Sequence, residues 1–258
     1  MIFWRWSILV VVAALSLRSN GAEPDRDQYK YKWRLPEGRT HVLWVGGGHW
    51  HDTLQTASIL RGVLEGSGRF HVTYSEDTAS LKNLDRYDVV LLNGMIDRFA
   101  PGAERALVES VGRGRPLLVL HAASACFRSP PPAKQVDPTV GHENFFKMIG
   151  GYVLKHDPFG RFQVRITDPD HSIVASVESF EIEDELFEFR ELREDNHVLL
   201  AAESDGHFRP IAWTRESGNQ RVFHLSLGHN EKAAMYPVFQ RLIVNGLDWL
   251  ILAGGSNE

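Results

Sequence analysis

Apolar residues in this chain arrive in short bursts, separated by stretches of helical spacing. Residues 41–47, HVLWVGG, form a burst too short for a buried helix and closed by glycines, which predicts a buried strand. The next stretch has apolar positions at Leu54, Ala57, Ile59, Leu60, Val63 and Leu64, which predicts a helix over 53–66 with Asp52 as its N-cap and Gly66 and Gly68 as its stop. RFHVTYS alternates like a strand, and YDVVLLNG (87–94) is continuously apolar like a strand covered on both faces. PGAERALVESVGRG predicts a helix with Pro101 in its first turn. RPLLVLHAA (115–123) is again a buried strand. Strand, helix, strand, helix, strand is the pattern of a parallel sheet covered by helices.

Past residue 123 the rhythm breaks. A long loop with Pro130, Pro131 and Pro132 precedes a short helix, HENFFKMIGG. GRFQVRI, HVLLAAE, IAWTRE and RVFHLSL then predict four strands, and YPVFQRLIVNGLDWLI predicts a closing helix.

The N-terminus does not fit this pattern. MIFWRWS has one charge, ILVVVAALSL is a ten-residue apolar run, and RSNGA supplies small residues, which is the shape of a cleaved secretory signal over 1–22. Residues 23–40 are polar and aperiodic, a linker or N-terminal arm, and the folded domain is expected over 41–252. The protein is therefore expected to be exported, periplasmic or extracellular, with no stable membrane span after cleavage. N-terminal sequencing of the exported protein should find a start near Glu23 rather than Met1.

Charge and cysteine content narrow the chemistry. Residues 1–22 carry Arg5 and Arg18 and no acid, so cleavage leaves 236 residues and takes the formal charge from −5 to −7. That gives no basic footprint for nucleic acid. Cys126 is the only cysteine, so neither an intramolecular disulfide nor a thiolate metal centre can form. A metal, if any, must be held by imidazole, carboxylate and water, which suits a divalent ion such as Zn²⁺ or Mn²⁺.

The twelve histidines are the main anomaly. His49, His51, His121, His156, His171 and His229 fall at turns or strand ends, whereas His41, His71, His197, His207 and His224 are read as structural. Parallel sheets bind ligands outside the carboxyl ends of their strands. His49 and His51 follow the first strand, Asn93 ends the third, and His121 ends the fourth. GGGHWHD matches neither GxGxxG nor GxxxxGK[ST], so its glycines are read as a tight strand-to-helix turn and no nucleotide is expected. His121 stands where a doubly wound hydrolase carries its nucleophile, yet the GxSxG or GxCxG frame is missing. That favours acid–base or metal chemistry over acyl transfer. In EIEDELFEFRE most carboxylates read as a solvated face; if the segment is extended, Glu183 and Glu185 share one side and Asp184 points to the other. GHN at 228–230 lets a strand exit sharply and turns His229 to the sheet edge.

HVLWVGGGHWHD, YDVVLLNG, LVLHAA, IGGYVLKHDPFGRFQVRITDPDHSI, EIEDELFEF, IAWTRESGNQRVFHLSLGH and GLDWLI, in that order over 41–251, resemble ThuA-like (trehalose utilisation) proteins. The chain departs from the family's pattern at His171-Ser172, Phe187 and Asn230, where His-Pro, Tyr and Asp are common. The resemblance implies an α/β, flavodoxin-like three-layer sandwich of the class I glutamine amidotransferase type, with a mostly parallel sheet and without that fold's catalytic cysteine. It also implies carbohydrate metabolism through 3-keto sugars.

Three functions are weighed. The first is an enzyme acting on a keto-glycoside or disaccharide, with His121 and Glu185 catalytic, His49, His51 and His229 as metal ligands, and Trp50, Asn93, His156 and Phe159 contacting the sugar. The second is a non-catalytic carbohydrate-binding or scaffold protein that keeps the pocket. The third, an amidotransferase, is disfavoured by the missing cysteine. The oligomeric state leaves no trace in the sequence.

Overall fold

The computed structural model describes residues 36–48, 50–127 and 142–252. The expected signal segment, most of the arm 23–40, His49 and most of the proline-bearing loop lie outside the described residues.

The first half follows the apolar pattern closely. β1 (Thr40–Val45), α1 (Thr53–Gly66), β2 (Phe70–Ser75), β3 (Val89–Asn93), α2 (Ala103–Gly112) and β4 (Leu117–Leu120) succeed one another as βαβ units. Asp52 caps α1, its side chain accepting from Gln55 N at 3.0 Å. Pro101 is not inside α2: the helix starts one residue beyond its N-cap, Gly102, whose φ of 80° suits glycine.

α3 (Glu143–Ile149), β5 (Tyr152–His156), β6 (Gly160–Ile166), β7 (Phe180–Asp184), β8 (Phe187–Arg190), β9 (His197–Ser204), β10 (His207–Ser217), β11 (Gln220–Leu225), α4 (Glu231–Met235) and α5 (Pro237–Leu252) follow. β5, β7 and β8 are strands that the apolar pattern does not announce. β7 is FEIED and β8 is FEFR, and their charges obscure the inward alternation of Ile182 and Asp184.

Among the described residues one sheet of nine strands has the order β2-β1-β3-β4-β11-β10-β9-β6-β7. Its first five strands are parallel, in the 2-1-3-4-5 arrangement of flavodoxin-like folds with β11 in fifth place. β10, β9, β6 and β7 extend it antiparallel. β5 and β8 pair separately.

Period-2 alternation divides the core into two layers. Val42, Trp44, Val89, Leu91, Leu118 and Leu120 pack with α1 and α5 on one face. Leu43, Val45, Val90, Leu92, Leu117 and Val119 pack with α2 and α3 on the other. The α/β three-layer sandwich expected from the sequence is therefore the observed architecture. Among the described residues no helix is long and apolar enough to cross a membrane.

Candidate functional site

The carboxyl ends of β1, β4 and β11 lie at the same edge of the sheet, with β3 between β1 and β4, and the residue types that follow them converge. His51 follows β1, His121 follows β4, His229 follows β11, and Glu185 follows β7. His121 Nε2 lies 3.3 Å from His51 Nε2 and 3.6 Å from Glu185 Oε2. His229 Nδ1 lies 3.3 Å from the same Oε2. These four residues each offer a ligand atom, all within 4.8 Å of one another. The turn carrying His51 is tight for a backbone reason. A Cβ on Gly48 would meet Met95 O at 2.1 Å, and one on Gly94 would meet Gly47 O at 2.0 Å, so the loops after β1 and β3 pack main chain on main chain.

His121 has a left-handed backbone, φ 45°, which is strained for a residue with a Cβ and costs roughly 1–3 kcal/mol. Its Nδ1 lies 2.6 Å from Ser226 O. A carbonyl only accepts, so Nδ1 carries a proton and the ring turns its Nε2 toward Glu185 and His51. A metal-binding histidine ordinarily has its other nitrogen fixed in this way. A histidine at the end of a strand on the ligand-binding edge would be expected to face an open cleft. His121 is instead fully buried, roofed by the Phe187 ring at 4.6 Å, and forms the layer beneath the cavity.

Glu185 is the negative centre. Burial pushes its carboxyl up, but hydrogen bonds from His121 and His229 together outweigh burial and hold it well below the usual carboxylate range. Its Oε1 lies 3.5 Å from His156 Nδ1. His229 is raised by its bond to Glu185, against burial. His51 is pushed down to about 3, first by burial and then by the neighbouring imidazoles, so it is neutral.

Asp184, on the opposite side of the chain from Glu185, is fully buried. It accepts from Gly228 N at 2.8 Å, His229 N at 3.2 Å and Glu185 N at 2.8 Å. One carboxylate thus ties the chain at Glu185 to the chain at His229. Burial raises its own pKa against those donors. Sequence reasoning missed this brace; only the inward period of Ile182 and Asp184 hinted at it.

A cavity of about 490 Å³ opens above the cluster, lined by His51, Glu185, His229, His156, Trp50, Met95, Phe187, Ala122, Ala125 and Val153. Trp50 and His156 therefore sit where a substrate contact was expected. Phe159 does not line the cavity; its ring lies against His229 at 5.1 Å, tilted by 47°. Asn93 does not line it either. It is buried at the end of β3, and Met95 reaches the cavity in its place. His49, expected as a ligand, lies outside the described residues. His171 joins a different group, capping the turn at Ser172–Val174 and packing on Trp249.

A family model described as trehalose utilisation, ThuA, matches residues 41–250. The chain belongs to the ThuA family. A ThuA-like protein from Parabacteroides merdae is similar in structure with a TM-score of 0.71 and 20% identity, over 83% of this chain and 91% of that one. One from Bacteroides uniformis gives 0.65 and 16%, over 84% and 94%. A glutamine amidotransferase from Thermotoga maritima gives 0.53 and 11%, over 83% and 98%. At these identities the structural likeness speaks to the fold. No curated protein matches the chain.

In this ThuA-family chain the position after β4 holds an imidazole. Cys126 lies five residues on, buried, with its thiol pushed up to about 12 by burial. A thiol held in that form is a poor nucleophile. Cys126→Ser is expected to leave any activity within a few-fold; a hundredfold loss, or covalent capture of Cys126 by a substrate analogue, would return nucleophilic catalysis to consideration.

The donor set fits a divalent ion. Bonds of about 2.0–2.2 Å in tetrahedral geometry imply ligand–ligand edges of roughly 3.3–3.6 Å, and the His121–His51, His121–Glu185 and His229–Glu185 separations fall in that range.

Proposed function

We propose that this protein processes a keto-glycoside or a keto-disaccharide through the His51–His121–Glu185–His229 cluster. One observation carries the reading: three imidazoles and one ionised carboxylate meet beneath a cavity at the carboxyl edge of the sheet. The cavity volume suits one or two sugar rings, and the exposed Trp50 indole offers a flat face at its mouth. Family membership supports carbohydrate chemistry.

A keto group at C3 makes the proton on C2 acidic, so a positioned base can remove it and expel the glycosidic oxygen from C1. Glu185 is held ionised at the cavity wall and is the proton acceptor or a ligand. His156, half exposed and beside Glu185 Oε1, is placed to return a proton to the leaving oxygen. His121, buried and with its Nδ1 held by Ser226 O, serves as ligand and as the support that orients Glu185. When bound, Zn²⁺ or Mn²⁺ would act as a Lewis acid toward the keto oxygen and the developing enolate. Export to the periplasm or beyond is proposed from the N-terminal sequence pattern alone.

The test is a screen of the purified protein, with and without added Zn²⁺ or Mn²⁺, against 3-keto-glycosides and their unoxidised parents. Release of the aglycone from the keto form only is the expected result. Saturable binding without turnover would make the protein a carbohydrate binder, and neither binding nor turnover would contradict the proposal.

A further inference from the structure

His224, the last residue but one of β11, reads from sequence as structural. It is fully buried, its ring stacked on the Trp213 indole at 3.7 Å and 5°. Trp213 is itself fixed, donating from Nε1 to Ile149 O at 2.9 Å. The Nε2 of His224 lies 2.5 Å from Ser124 Oγ, and Ser124 Oγ lies 2.8 Å from the main-chain oxygen of His121.

Proton counting orders this chain of contacts. A serine hydroxyl has one proton. The His121 carbonyl can only accept, so the Ser124 proton goes to it. Ser124 must then accept from His224, which makes His224 the neutral tautomer with its proton on Nε2. Its Nδ1 is then a bare acceptor, and that atom is buried without a hydrogen-bond partner.

β11 and the residue just after it therefore grip His121 at two points. Ser226 O takes the ring proton, and His224, two residues earlier, acts through Ser124 on the carbonyl. The carbonyl belongs to the residue whose φ is 45°, so it needs a local partner to hold that backbone. We infer that His224 is a positioning residue: through Ser124 it holds the left-handed backbone of His121 and so aims the His121 imidazole at Glu185 and His51. The inference rests on the reading of that cluster as the working site.

Three variants separate the possibilities. His224→Phe keeps a ring against Trp213 but removes the donor. Ser124→Ala removes the link with a smaller change of volume. His224→Gln keeps an N–H donor near the Nε2 position. The first readout needs no metal and no substrate: the His121 Nδ1 proton resonance in protein labelled with ¹⁵N-histidine. It should be displaced or lost in His224→Phe and Ser124→Ala and kept in His224→Gln. The second is affinity for Zn²⁺ alone, by competition with a chromogenic chelator. It should fall about 10–100-fold in the first two variants, as for other outer partners of metal-binding histidines, and stay within about threefold in His224→Gln.

Folded His224→Phe and Ser124→Ala proteins with an unmoved His121 resonance would overturn the inference, as would His224→Gln behaving like His224→Phe. If His224→Phe fails to fold, Ser124→Ala decides. If the wild-type protein binds no Zn²⁺, the metal reading of the cluster fails, and the resonance still decides the role of His224.

Discussion

Glu185→Gln is expected to cut Zn²⁺ or Mn²⁺ affinity by about a hundredfold or more, beyond the 10–100-fold typical of outer partners, and to abolish turnover of a keto-glycoside. The change keeps shape and removes the one negative charge among three imidazoles. The same substitution has a pH signature in metal-free protein. Although burial pushes the Glu185 carboxyl up, hydrogen bonds from His121 and His229 take it well below its ordinary value. Its charged form thus stabilises the fold above the unfolded-state pKa of about 4.3, and that contribution is lost as pH falls through the lower folded value. Urea unfolding at a series of pH values should show a wild-type advantage over Glu185→Gln at neutral pH that shrinks on acidification. Equal stability at every pH would show that the carboxylate is not held as described.

His121→Ala is expected to remove the site and also to weaken the fold. The side chain is fully buried beneath Phe187, and its Nδ1–H satisfies a buried carbonyl, Ser226 O. Orphaning that acceptor and leaving a void should together cost about 2–4 kcal/mol. For a domain of this size that corresponds to a melting temperature lower by roughly 5–15 °C. The alanine would also keep the strained backbone without the bond that holds it. Calorimetry of the metal-free variant checks this, and an unchanged melting temperature would mean that the imidazole contributes nothing to packing.

The sequence shows the parallel half of the sheet well, because strands buried on both faces read as unbroken apolar runs: HVLW, VVLL and LLVL are β1, β3 and β4. The same runs make His51, His121 and His229 legible, since each follows such a strand. Other parts of the site depend on pairings that no local pattern encodes. Ser226 lies 105 residues from His121 and meets it because β11 lies beside β4. Asp184 looks like one more acid in a charged run until its three backbone donors are in place. Asn93 has the right sequence position and the wrong depth: it is buried at the end of β3 and does not reach the cavity.

The central claim is that His51, His121, Glu185 and His229 act as one site. It is tested most directly by anomalous diffraction at the zinc edge from crystals of the protein equilibrated with Zn²⁺. The account predicts one strong peak per chain, about 2.0–2.2 Å from nitrogen or oxygen atoms of these four residues, and its loss in Glu185→Gln. A peak elsewhere with this cluster empty, or none at saturating Zn²⁺, would contradict it.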